Sequence, residues 1–256
     1  MTPERAKLDY VLRLADNGLV LAQRLSEWVG HGPILEEDIA MTNVGLDLLG
    51  QSRLWFGYAQ DLEALASGVG RSEDQFAFLR DARDFRNLLL VEQANGSYAD
   101  TMARQFLFDQ WHVLALRALA ASSDARIAEI AAKAVKEVAY HVERSTDWVI
   151  RLGDGTDESH GRMQAALDDL WTYTAEMFAA DEVEIALIDE GTAADVQALR
   201  PAWDAAVDAV LAEATLTRPN NGFERLGGKQ GLHGEDFGRL LAEMQFLQRA
   251  YPGATW

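Results

Sequence analysis

The chain has 256 residues, 48 % hydrophobic and 9 % aromatic, which suffices for a sizeable core and is too apolar for a disordered chain. Its 41 acidic residues against 23 basic ones leave a formal net charge of -18, a balance that repels nucleic acid and anionic membrane surfaces. Cysteine is absent, which excludes disulfides, thiolate zinc sites, cysteine-ligated clusters and cysteine nucleophiles.

From residue 4 to residue 28, Leu8, Val11, Leu12, Ala15, Leu19, Ala22 and Leu25 recur at close to a 3.6-residue period, which predicts a long helix. Charges scattered through MTPERAKLDYVLRL leave no apolar core for a secretory signal, and no run reaches the ~20 apolar residues of a membrane span, so a cytoplasmic protein is expected. His31, Gly32 and Pro33 break the chain, and a second helix is predicted over residues 35–66, ended by Gly68 and Gly70. The stretch SEDQFAFLRDARDFRNLLLVEQANGS reads as one or two short helices with a turn at Asn95 and Gly96. Further helices are predicted over residues 98–121, 125–152, 162–181, 195–215 and 235–250.

No strand alternation and no 34- to 47-residue repeat is visible, which argues against a sheet protein and an α-solenoid. Two pairs of long helices joined by a long crossover give the expected architecture. It is an all-α, ferritin-like four-helix bundle with additional C-terminal helices, forming a single domain over residues 1–256.

Such bundles hold two metals with one Glu from each of two helices and Glu-x-x-His from each of the other two. Glu27 or Asp16 is available on the first helix. On the second, Asn43, Asp47, Gly50 and Leu54 share a stripe, with Gly50 three residues after the acid instead of His. On the third, Asp109 shares its stripe with Met102, Phe106, Val113 and Leu116 and is expected to be buried, with His112 one turn on. On the fourth, Ile130, Ala134, Glu137, His141 and Trp148 share a face, but Tyr140 follows Glu137 at the third position and His141 comes one residue late.

The ligand set is therefore incomplete. Acid-x-x-His occurs twice, at Asp109…His112 and at Asp157…His160, where 41 acids and 5 His in 256 residues yield roughly one such pair by chance, so the spacing alone is weak evidence. Two readings stay open. Asp109, His112, Glu137 and His141 form either a buried polar network or a metal site of unusual arrangement. His31, His160 and His233 adjoin glycines and are expected in surface loops. The loop RLGGKQGLHG lacks the Gly-Lys-Ser/Thr ending of a P-loop and follows no strand, so a nucleotide site is not expected there. Seven Trp suggest core packing, or anchors for a partner surface.

The stretches LADNGLVLAQRLSEWVGHGPILEEDIA, NVGLDLLGQSR, RDARDFRNLLLVEQANGSYADTMARQ, FDQWHVLALRAL, AVKEVAYH and GGKQGLHGEDFGRLLAEMQFLQRAYPGATW cover the chain nearly end to end. Together they resemble the C subunits of bacterial phenylacetyl-CoA epoxidase, a multicomponent oxygenase of aerobic phenylacetate breakdown. The resemblance implies a ferritin-like fold and a structural role beside a catalytic subunit that carries the di-iron centre. It also implies that the C subunit has lost the ligand set, with Gly50 and Tyr140 standing where the two His are needed. On that reading Glu27, Asp47, Asp109, His112, Glu137 and His141 line a vestigial site without catalytic or metal-binding residues.

The resemblance further implies a small additional subunit and a reductase carrying flavin and an iron–sulfur cluster fed by NADPH, none of which binds here. A homodimer is the expected state of the chain alone if the partner is missing. The alternatives from the residues themselves are a self-sufficient di-iron oxygenase or oxidase, and a helical binding module unrelated to oxygen chemistry.

Overall fold

The computed structural model describes residues 2–220 and 222–254. Among them are no strands and, in chain order, α1 (Pro3–Ser26), α2 (Leu35–Ser67), α3 (Glu73–Phe78), α4 (Tyr98–Leu119), α5 (Ala125–Gly153), α6 (Asp157–Leu170), α7 (Glu182–Asp189), α8 (Val196–Glu213) and α9 (Phe237–Ala250). The chain forms two compact units, Met1–Gln93 with Gly227–Trp256, and Ala94–Leu226.

In the first unit, Thr2 caps α1 by accepting from the Arg5 amide, and Pro3 occupies the first helical position, where its missing N–H costs nothing. The α1–α2 turn is tied by Asp38, whose Oδ2 accepts from the amides of Gly30 (2.8 Å) and Gly32 (3.0 Å). The two helices run antiparallel in close contact. Ser52 Oγ donates to the Ala15 carbonyl at 2.9 Å, and a Cβ on Gly18 would stand 2.4 Å from that hydroxyl oxygen. A left-handed Gly68 ends α2.

The segment after α3 is irregular and is held by buried polar groups. Arg80 forms a two-pronged ion pair with Asp16, with Nη1 3.0 Å from Oδ2, and lies over the Phe85 ring at 4.2 Å. The Leu88 amide donates to Asn17 Oδ1 at 2.8 Å. Helix α9 returns to the same segment, where Gln245 Nε2 donates to the carbonyls of Ala77 and Arg80, each at 3.0 Å.

The glycine-rich loop before α9 serves packing. A Cβ on Gly228 would lie 2.2 Å from the Asn87 carbonyl oxygen, and one on Gly231, at φ +77°, 2.3 Å from that of Arg83. His233, expected on the surface, has its side chain buried although its backbone stays partly exposed. Its Nδ1 faces Glu92 Oε2 at 2.6 Å, its Nε2 faces the Phe85 carbonyl at 3.2 Å, and its ring stacks on Phe237. Glu92 is completed by the Gly234 amide (2.7 Å) and Asn87 Nδ2 (2.9 Å). The carboxylate recruits the histidine from a loop 141 residues away, a pairing that local reading does not reach.

In the second unit α4 and α5 run antiparallel, with the Tyr98 and Trp148 rings edge to face at 5.0 Å and Arg144 Nη2 donating to the Tyr98 hydroxyl at 3.1 Å. Trp203 of α8 is fully buried and donates its ring N–H to the Leu107 carbonyl at 3.1 Å, among Trp171 and Phe178. The helix expected over 162–181 begins earlier and stops earlier. Thr156 caps it in a reciprocal box with Ser159, so Asp157 and His160 lie on α6, and His160 Nδ1 meets the Gly153 carbonyl at 2.7 Å. Helix α7, which the periodicity missed, is opened by a capping box of Asp181 and Glu184.

Candidate functional site

Helix α4 is buried on nearly every side from Ala99 to Leu119, and its polar residues Arg104, Gln105, Asp109, Gln110 and His112 are buried with the rest. A helix cannot present polar groups to a core unless they find one another or partners on a neighbouring helix. Here the neighbour is α5, whose inward stripe runs Ile127, Ile130, Ala134, Val138, His141, Ser145 and Val149.

Asp109 is fully buried, as its apolar stripe predicts. Gln105 Nε2 donates to its Oδ1 at 2.6 Å. Oδ2 lacks a partner in bonding geometry, and the Ser145 hydroxyl beside it is turned toward the Val142 carbonyl at 3.4 Å. Burial pushes the Asp109 carboxyl up to about 6; the His141 ring, the Ser145 hydroxyl, the Gln105 amide and Arg144 pull it back only in part.

His112 packs with the Phe108 ring at 4.9 Å and the Trp111 ring at 6.4 Å. Burial, aided by the nearby His141 ring, drives its pKa down to about 3, so it is neutral at pH 7. The cluster at neutral pH thus joins a largely ionised carboxylate to the neutral His112 imidazole, the His141 ring, a hydroxyl, a carboxamide and the Arg144 guanidinium, which also points to Met102 Sδ at 3.7 Å.

The structure brings Asp109 and His112 together with His141 and leaves the other expected residues apart from that cluster. Glu137 is half-buried, because Val138 takes the inward position on α5, and Tyr140 is 48 % exposed. On α2 the inward stripe passes through Val44, Leu48, Gln51 and Trp55, so Asp47 is half-buried while Asn43 and Gly50 are exposed. Glu27 stands at the C-terminal cap of α1, exposed and paired with Arg24 at 3.0 Å. The residues that sequence reasoning missed are Gln105, Arg144 and Ser145. Two of them were legible by spacing, since Gln105 precedes Asp109 by one helical turn and Ser145 follows His141 by one.

These donors do not fit a carboxylate-bridged metal pair. The cluster offers one carboxylate where four are needed, its Oδ1 is taken by an amide N–H, and Arg144 supplies a fixed positive charge that opposes a cation. Among the described residues no three His, Asp or Glu side chains gather in a way that could hold a metal ion. No described helix is long and apolar enough to cross a membrane.

In comparison with known proteins, the family model described as phenylacetic acid catabolic protein matches residues 1–256. The chain is also 54 % identical over 247 residues to the C subunit of the 1,2-phenylacetyl-CoA epoxidase of Escherichia coli (strain K12), covering 96 % of this chain and 98 % of that one. At that identity over that coverage the two chains share one all-α, ferritin-like fold. The chain belongs to the phenylacetic acid catabolic protein family.

Proposed function

We propose that this chain is a non-catalytic subunit of an oxygenase that epoxidises phenylacetyl-CoA in phenylacetate catabolism, and that it pairs with and stabilises a di-iron catalytic subunit. The observation that carries the reading is the end-to-end likeness to the C subunit of such an epoxidase, 54 % over 247 residues. The donor set supports it from the chemistry: a lone buried carboxylate hydrogen-bonded to Gln105 and accompanied by Arg144 offers no seat for two irons. Oxygen activation then belongs to the partner, and the electrons come from NADPH through a reductase with flavin and an iron–sulfur cluster. A further small subunit completes the complex. The absence of cysteine keeps such a cluster out of this chain, and the assembly works in the cytoplasm.

The test is expression of the chain alone and with the other subunits, measuring bound iron and NADPH-dependent epoxidation of phenylacetyl-CoA. Alone it holds far less than one iron per chain and turns nothing over; with the other subunits it supports turnover, and omitting it leaves the catalytic subunit unstable. Stoichiometric iron with oxidase activity in the lone chain, lost in Asp109→Ala and Glu137→Ala, overturns the reading in favour of a self-sufficient oxygenase.

A further inference from the structure

The first unit carries an apolar surface that no contact among the described residues explains. At the α1–α2 turn Val29 and Ile34 are each 54 % exposed, and along α2 Leu35 is 72 %, Ile39 52 % and Leu46 63 % exposed. Leu35, Ile39, Leu46 and Gly50 are spaced at four, seven and four residues, so they fall on one outward stripe of a single helix. A clustered apolar stripe of this kind marks a contact surface, whereas scattered exposed apolar residues are ordinary.

Gly50 adds a geometric feature. A glycine in mid-helix costs about 1 kcal/mol relative to alanine. A Cβ there would meet nothing within 4 Å, so packing inside the chain does not require the glycine. A second helix crossing the stripe at Gly50 does, because the missing side chain lets two helix axes approach closely.

Charge says what kind of helix that is. Between Arg24 and Arg53 the chain carries Glu27, Glu36, Glu37, Asp38 and Asp47 and no Lys or Arg. Arg24 pairs with Glu27 and Arg53 with Glu73, so neither basic residue stands over the stripe unopposed. With Glu27 offset by Arg24, a second copy of this chain would set Glu36, Glu37, Asp38 and Asp47 against the same four acids, a repulsion felt over the ~8–10 Å Debye length at physiological salt. A partner whose apolar face is edged by Lys and Arg meets both features at once.

We propose that the outward stripe of α2, from Leu35 to Gly50, with Val29 and Ile34 at the turn, docks a helix of a different subunit of the epoxidase. The docked face is apolar and rimmed by Lys and Arg. The proposal rests on the functional reading above and names its contact surface. Asp47, expected at a vestigial metal site, then belongs to the charged rim of that surface, while Glu27 is held by Arg24.

The test is the affinity of the chain for the other epoxidase subunits, measured with purified components by calorimetry or interferometry. The double variant Ile39→Asp/Leu46→Asp lowers the affinity by at least about tenfold, and Gly50→Phe does so independently by filling the crossing point. Both variants keep the helical fold, because the replaced positions are exposed, and Gly50→Phe does not lower the thermal midpoint, since a mid-helix glycine is itself destabilising. Leu65→Asp, at the far end of the same helix and 84 % exposed, leaves the affinity unchanged. Raising ionic strength weakens the wild-type complex.

A double variant that binds within about twofold of wild type, or a Leu65→Asp loss as large as that of the stripe, overturns this surface alone. A wild-type dimer that dissociates in Leu46→Asp shows a second copy as the occupant and overturns it too. A wild-type chain that binds no other subunit overturns the functional reading and this proposal with it.

Discussion

Asp109 and His112 sit one turn apart on α4 and titrate in opposite senses, which gives the cluster a testable acid response. The Asp109 carboxyl rises from 3.8 to about 6 on folding, so the native state binds its proton first. That contribution to stability is present below pH 3.8 and is lost as pH rises through 6, about 3 kcal/mol in all. His112 falls from 6.5 to about 3, so its contribution is present above pH 6.5 and lost as pH falls toward 3. Between roughly pH 6 and 4 the two slopes oppose each other and largely cancel.

Asp109→Asn keeps an acceptor for Gln105 and removes the buried charge, so it raises the thermal midpoint at pH 7.5, a gain that vanishes near pH 4. His112→Phe leaves the Asp109 slope alone and grows more stable on acidification from pH 7 to pH 4, by about 2 kcal/mol before other groups intervene. Midpoints measured by calorimetry across that range decide both, and parallel curves for the two variants would refute the assignment. The core also distinguishes a polar requirement from simple filling. Asp109→Leu is tolerated better than Asp109→Ala if the acid only occupies volume, because alanine leaves a cavity.

At the scale of single elements, helix ends decide what periodicity leaves open. The apolar rhythm predicts α1, α2, α4 and α5 to within a few residues, because each buries a stripe many turns long. It fails at α6 and α7, which are short and whose limits are set by side-chain caps. The boxes Thr156-x-x-Ser159 and Asp181-x-x-Glu184 are written in the sequence, but each competes with a glycine or acid cluster that reads equally well as a loop. Thr156→Ala removes the acceptor for the Ser159 amide and costs about 1 kcal/mol in chemical denaturation.

The loop before α9 is the stronger case. Its glycines resemble a phosphate cradle in composition, yet their role is to let backbone meet backbone. Gly228→Ala forces a Cβ into the 2.2 Å gap to the Asn87 carbonyl and costs about 3 kcal/mol, while Gly222→Ala, whose Cβ would meet nothing within 4 Å, costs far less. Urea midpoints for the pair measure the difference.

For the whole molecule, the acidic balance and the exposed α2 stripe point to a chain completed by association. Binding a partner at 100 times its Kd adds about 2.7 kcal/mol to apparent stability, so the thermal midpoint rises with partner concentration and Ile39→Asp/Leu46→Asp abolishes the rise. The helical class was legible in the residues alone, because long runs with a 3.6-residue period and almost no strand alternation admit little else. So was the burial of Asp109, whose neighbours along its stripe are apolar on both sides. Which polar groups meet was a matter for the folded chain: His233 with Glu92, Arg80 with Asp16, and Gln105, Ser145 and Arg144 with Asp109. Folding also turned Asp47 and Gly50 away from the α1–α2 contact and toward the outer face. Periodicity sets the spacing of a helix face but not its direction, and partners 64 or 141 residues apart are joined by packing alone.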